Sequence, residues 1–120
     1  MRKINIPKAF DRVDETWSPH IAGKVNGQEI RIAKIDGVFD WHSHDGVDEA
    51  FFVVKGAFDM EFRDQTVSME EGDFLVVPSG VEHRPVASEE CWIMMVETAG
   101  TINTGDEVTS RTKTAELPVL

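Results

Sequence analysis

Three histidines and one glutamate, His42, His44, Glu49 and His83, fall in two short stretches that also carry glycine and proline at fixed intervals. The first stretch reads Gly37-x4-His42-x-His44-x4-Glu49-x6-Gly56, and the second Gly72-x5-Pro78-x-Gly80-x2-His83. Residues two apart on a strand point to one face, so His42 and His44 can aim two imidazoles at one point. Glu49 opens the next run after the short connection DGVD and can add a carboxylate. Pro78 and Gly80 shape a turn that delivers His83 at the start of its own strand. Three imidazoles and a carboxylate suit one divalent transition metal ion, Fe, Mn, Ni, Zn, Co or Cu. An ion that accepts five or six ligands then keeps one or two positions open, which is where such a site reacts with a small molecule. The fourth histidine, His20, lies outside both stretches and reads as structural or exposed.

The elements around these residues read as strands. HIAGKV and QEIRIAKI flank Asn26-Gly27, a strong hairpin signal, because both central residues of a type I′ turn need positive φ. EAFFVVK (49–55), AFDMEFR (57–63), TVSM (66–69), FLVV (74–77) and CWIMMVE (91–97) follow, separated by Gly56, Asp64-Gln65, EEGD and PSGV. Phe58, Met60 and Phe62 alternate with Asp59, Glu61 and Arg63, the period of a strand with one wet face. This spacing predicts an all-β sandwich or barrel. Pro7 can start a short N-terminal helix through Phe10 and Val13 that lies over it. AFFVV and WIMMV are apolar at every position, so both faces of these strands need cover, from folded-back termini or from a second copy in a homodimer. Residues 99–120 form an arm that packs on the barrel or across to a partner.

With 120 residues the chain holds one domain, core about 20–98. Its formal net charge of -10 and the lack of any Lys/Arg-rich run argue against nucleic acid and anionic membranes as partners. The single cysteine, Cys91, excludes an internal disulfide and reads as a core residue. No signal-like or membrane-spanning apolar segment is present, so a cytoplasmic location is the expectation. Phe51 and Val53 share the parity of Glu49 and should line the interior. Asp48 should face the other way, as a surface residue or as an acceptor for a ligand histidine's second ring nitrogen.

The two stretches resemble the paired signature motifs of the cupin superfamily, and the chain is similar to its small single-domain, mannose-6-phosphate-isomerase-like members. Gly37 stands one residue closer to the first histidine than is usual there, and Ala87 replaces an asparagine often found after the second motif. The resemblance implies a double-stranded β-helix, or jelly-roll barrel, of six to eight strands. It carries His42, His44, Glu49 and His83 over as metal ligands and implies a homodimer. A metal-dependent dioxygenase, an isomerase or lyase, and a non-enzymatic ligand- or metal-binding sensor are the functions it leaves open, with no catalytic base named. A sugar-phosphate isomerase should gather basic residues beside the ion, and the candidates Lys34, Lys55 and Arg84 are scattered along the chain.

Overall fold

Seven strands carry the chain in a computed structural model, which describes residues 1–113 and 116–120. They are β1 (His20–Val25), β2 (Gln28–Val38), β3 (Glu49–Lys55), β4 (Ala57–Phe62), β5 (Thr66–Glu70), β6 (Phe74–Val77) and β7 (His83–Thr98). Asn26 and Gly27 take φ of 47° and 80°, and Val25 pairs with Gln28 directly across the turn, as the Asn-Gly signal requires.

The longest strand, β7, organises the rest. Its C-terminal half pairs with β2 on one side and β3 on the other, giving the order β1-β2-β7-β3-β6, while its first residues pair with β4, which pairs with β5. One strand thus serves both sheets of a jelly roll. The sequence reading starts one strand at His83 and a separate one at Cys91, whereas a single strand runs from His83 through Pro85 to Thr98. The carbonyl of Pro85 accepts from Phe39 N–H, and β2 correspondingly runs on to Val38.

Alternation along these strands builds two cores. Inward-facing Ala33, Ile35, Phe51, Val53, Phe58, Met60, Ile93 and Met95 fill the barrel. Outward-facing Ile32, Trp92, Met94 and Val54 form a second core under the N-terminal residues and Leu120. There a helical turn, α1 (Ile6–Ala9), has Asn5 as its cap, whose Oδ1 accepts from Lys8 N–H at 3.0 Å, and Pro7 in its first turn. The 3-10 turn that follows (Phe10–Arg12) seats Phe10 against Trp92, ring centroids 4.7 Å apart. Burying a side chain of that size stabilises by about 2–3 kcal/mol. The termini therefore supply part of the cover that the all-apolar runs demand. The far end of the same face stays open: Phe74 is 62% exposed and Val76 47%, beside half-buried Phe52 and Ala50 on β3.

The C-terminal arm packs on its own barrel at both of its described parts. Residues 101–113 fold over the loop that carries His42, while Leu120 and Pro118 exchange backbone hydrogen bonds with Ile21. No helix among the described residues is long and apolar enough to cross a membrane.

Candidate metal centre

His42 and His44 do not lie on a strand, contrary to the sequence reading. Residues 39–48 form an irregular connection that touches the sheet through the Phe39 N–H bond to Pro85 and through a backbone bridge, in which His42 and His83 exchange N–H···O bonds of 3.1 and 2.9 Å. The two motifs are stitched together by polar turn residues. Asp48 accepts from Ser79 N–H, Ser79 Oγ accepts from Gly46 N–H, and Gly80 N–H donates to the His44 carbonyl. Asp48 is exposed and anchors a turn, so it makes no hydrogen bond to a ligand histidine. Gly80 takes φ of 77°, the conformation that lets this turn bring His83 back toward His42.

His42, His44, Glu49 and His83 converge, each offering a donor atom within 4.8 Å of the other three, and all four are buried. Nδ1 of His42 lies 2.8 Å from the Asp40 carbonyl, and Nδ1 of His83 2.8 Å from the Val81 carbonyl. A carbonyl only accepts, so Nδ1 of each ring carries the hydrogen and the lone pair of the neutral imidazole sits on Nε2. Nε2 of His83 then faces Glu49 Oε1 at 3.2 Å, and His44 Nε2 lies 3.4 Å from the same oxygen with no hydrogen-bond partner at all. Two acceptors turned on one another in a buried space, His83 Nε2 and Glu49 Oε1, form an arrangement that a shared cation would satisfy. Donor atoms on an ion bound at about 2.1 Å stand roughly 3.0–3.4 Å apart, so the separations fit such an ion.

Burial, followed by the repulsion of His83, lowers the His42 pKa to about 4. His42 is therefore ready to coordinate at pH values where a free imidazole is already protonated. Between pH 4 and 6.5 the unfolded chain binds a proton here that the metal-free folded protein refuses. That contribution, about 3 kcal/mol, is complete above pH 6.5 and is lost as pH falls toward 4. An imidazole NMR titration of the metal-free protein should show His42 with a midpoint near 4, well below the usual 6.5. A midpoint above 6 would mean that the ring is neither desolvated nor beside the other histidines.

Glu49 is pulled both ways. Burial would raise its carboxyl, but the hydrogen bond from Glu97 and the contacts with His44 and His83 hold it well below the ordinary range. Glu97, buried to 2% exposure, is pushed well up, by burial first and then by the Glu49 charge and hydrogen bond, with Arg31 opposing. Burial also pushes the Cys91 thiol up to about 11, which leaves it an inert core residue.

Beside the four converging residues lies a narrow cavity of about 40 Å³. Trp17, Phe39, Phe51, Ile93 and Met95 line it together with His42, Glu49, Glu97 and Asn103. Glu97, Trp17, Phe39 and Asn103 escape the sequence reading. Glu97 was counted only as the end of a strand, Trp17 sits in a stretch with no regular pattern, and Asn103 belongs to the arm. A signal for Glu97 existed: it shares the parity of Ile93 and Met95, a charge in a row of core positions. The basic residues do not converge. Lys34 and Lys55 lie over the Trp92 ring on the outer face, while Arg84 bonds Glu61 and stacks on Trp41. His20 stands apart, its Nδ1 2.8 Å from the Ser18 carbonyl.

Residues 28–97 match a family described as Cupin domain. The uncharacterized protein YdbB of Bacillus subtilis is 32% identical over 81 residues, 67% of this chain and 72% of that protein. An acireductone dioxygenase of Puccinia graminis is 33% identical over 100 residues, which cover 78% of this chain and 52% of that longer protein. Among solved structures, a cupin-2 domain protein from Shewanella frigidimarina is 39% identical with a TM-score of 0.78, covering 79% of this chain and 93% of that one. NMB1881 from Neisseria meningitidis is 29% identical with a TM-score of 0.74, covering 82% and 100%.

Proposed function

The chain belongs to the cupin superfamily, and on that premise we propose that it holds one divalent transition metal ion through His42, His44, Glu49 and His83 and binds or transforms a small molecule there. The observation that carries this reading is the buried Nε2 of His44, which has no hydrogen-bond partner and points with His83 Nε2 toward a single glutamate oxygen. Bound there, the ion would act as a Lewis acid or support redox chemistry at its open positions.

The protein's own contribution is orientation and exclusion. Carbonyls of Asp40 and Val81 fix two imidazoles in the ligating tautomer. The mainly apolar cavity keeps bulk water from the reacting side and suits a small molecule with an apolar body and one metal-seeking polar end. A sugar phosphate fits poorly, since the buried guanidinium of Arg31 is already bonded to Glu29 and Glu97 and the remaining candidate bases lie on outer surfaces. Oxidation of the dioxygenase kind is the enzymatic class that this lining favours. A sensor or storage module with the same ion is the second reading, favoured by the small size of the cavity.

Elemental analysis of the purified protein tests the proposal. One transition metal per chain is expected, and its identity separates redox from Lewis-acid chemistry. Protein that stays metal-free after incubation with each of the candidate ions would overturn it.

The open end of the outer face supports a homodimer. Phe74 and Val76 lie on the edge strand β6 and present large apolar side chains that no part of the described chain covers. Light scattering should give a mass of two chains for the protein and of one for Phe74→Glu. A monomeric wild type would refute the dimer.

A further inference from the structure

We propose that Glu97 is a positioning residue for Glu49, holding its carboxylate toward the three imidazoles, and that Arg31 in turn fixes Glu97. The inference rests on the metal-binding reading above and extends it to residues that do not themselves converge on the ion.

Cross-strand register puts Glu29 opposite Glu97, and Glu97 opposite Glu49, so three carboxyl groups form one row across β2, β7 and β3. All three are buried, with exposures of 6%, 2% and 4%. A buried carboxylate costs several kcal/mol unless its partners are excellent, and an apolar residue would fill the same space without that cost. Beyond Arg31, which is itself buried and pairs with two of these carboxylates, the next inward positions of the same strands are apolar: Ala33 and Ile35, Ile93 and Met95, Phe51 and Val53. Polar burial is thus confined to the level of the metal ligands, and packing does not account for it.

The row is also ordered. Arg31 donates through Nε and Nη2 to Glu29 Oε1 at 3.0 and 2.7 Å, and through Nη1 to Glu97 Oε2 at 2.5 Å. A guanidinium fork has fixed geometry, so the two bonds to Glu29 hold Arg31 in place and its Nη1 anchors Glu97 Oε2. Glu97 is in turn the direct cross-strand partner of Glu49, and both side chains are buried on the inner side of the sheet. No backbone carbonyl orients Glu49, whose carboxylate sits at the end of the longest and most flexible side chain of the four. Glu97 supplies for it what the carbonyls of Asp40 and Val81 supply for His42 and His83.

The test titrates the metal-free protein with Co(II), reads its visible absorption and measures affinity by competition with a chelator. Glu97→Leu, an apolar replacement of similar size, should weaken Co(II) binding by about 10–100-fold and change the spectrum, while Glu97→Gln, which keeps an acceptor for Arg31 and a donor for Glu49, should stay within about threefold of wild type. Glu97→Asp retains the charge beside Arg31 but withdraws the carboxyl from Glu49, and should lose affinity as Glu97→Leu does. It carries the test if stranding Arg31 unfolds the leucine variant, and the thermal midpoint of each metal-free variant checks the fold. Wild-type affinity and spectrum in Glu97→Asp or Glu97→Leu would overturn the proposal, as would a loss in Glu97→Gln equal to that in Glu97→Leu. A wild type that takes up neither Co(II) nor any other of the candidate ions would overturn the metal reading itself, and this inference with it.

Discussion

Replacing His83 with alanine is expected to remove the metal while leaving the barrel folded. His83 is 1% exposed and its Nε2 stands 3.2 Å from Glu49 Oε1, so its loss removes one of the four donors that the proposed ion would use, from the middle of the cluster. Affinity should fall by more than about 100-fold, the upper end for losing a residue that only orients a ligand. His42→Ala should behave in the same way. The backbone bridge between residues 42 and 83 is made by main-chain atoms and survives both substitutions. The barrel core is apolar and closes without the ion. Elemental analysis of the variants beside wild type, with circular dichroism of each, separates the outcomes. Metal lost with the fold kept is the expected result, whereas a variant that unfolds would make the ion a structural element. A variant that keeps stoichiometric metal would remove His83 from the ligand set.

What the sequence made legible and what it hid divide along physical lines. Hairpin turns and alternating strands were readable because their signals are local: Asn26-Gly27 needs positive φ, and Phe58, Met60 and Phe62 need a common face. The four converging residues were readable because motif spacing records them, although the geometry that joins them was misjudged. His42 and His44 were assigned to a strand, yet they sit on an irregular connection held by Asp48, Ser79 and a bridge to His83. The full length of β7 was hidden by Pro85 and the run Ser88-Glu89-Glu90, residues that locally resemble a loop. Tertiary pairing overrides them, since the Pro85 carbonyl accepts from Phe39 and the exposed residues 88–90 span a register shift opposite β2. Glu97 and Arg31 stayed invisible for a further reason. Their meaning depends on which strands lie side by side, and no local pattern records that β7 runs between β2 and β3.

The same limit applies to the C-terminal arm, whose close passage over Ser43 requires a glycine at 105, and Gly105→Ala is expected to release residues 101–113. Gly105 has φ of 61°, and a Cβ added there would lie 1.9 Å from the carbonyl oxygen of Ser43, the residue between two of the converging histidines. No side chain can yield, because the obstacle is backbone. The arm is otherwise well held. Asp106 N–H donates to the Ser43 carbonyl at 3.1 Å, while Thr109 Oγ1 and Arg111 Nη1 donate to the two carboxylate oxygens of Asp40 at 2.7 and 3.1 Å. Thr104 is fully buried beneath the turn. Forcing these contacts apart should cost about 2 kcal/mol or more, a fall of roughly 6–10 °C in the thermal midpoint for a chain of this size. Limited proteolysis should then cut within residues 101–113, where the wild type resists. Metal affinity should hold, because the four converging residues lie outside the arm, and the cavity roofed in part by Asn103 should open to larger molecules. Two other results would revise this picture. An unchanged cleavage pattern and midpoint would mean that the arm does not pack on Ser43. Metal loss with the arm still protected would mean that the histidine-bearing loop yields before the arm does, making the arm a clamp on the metal site.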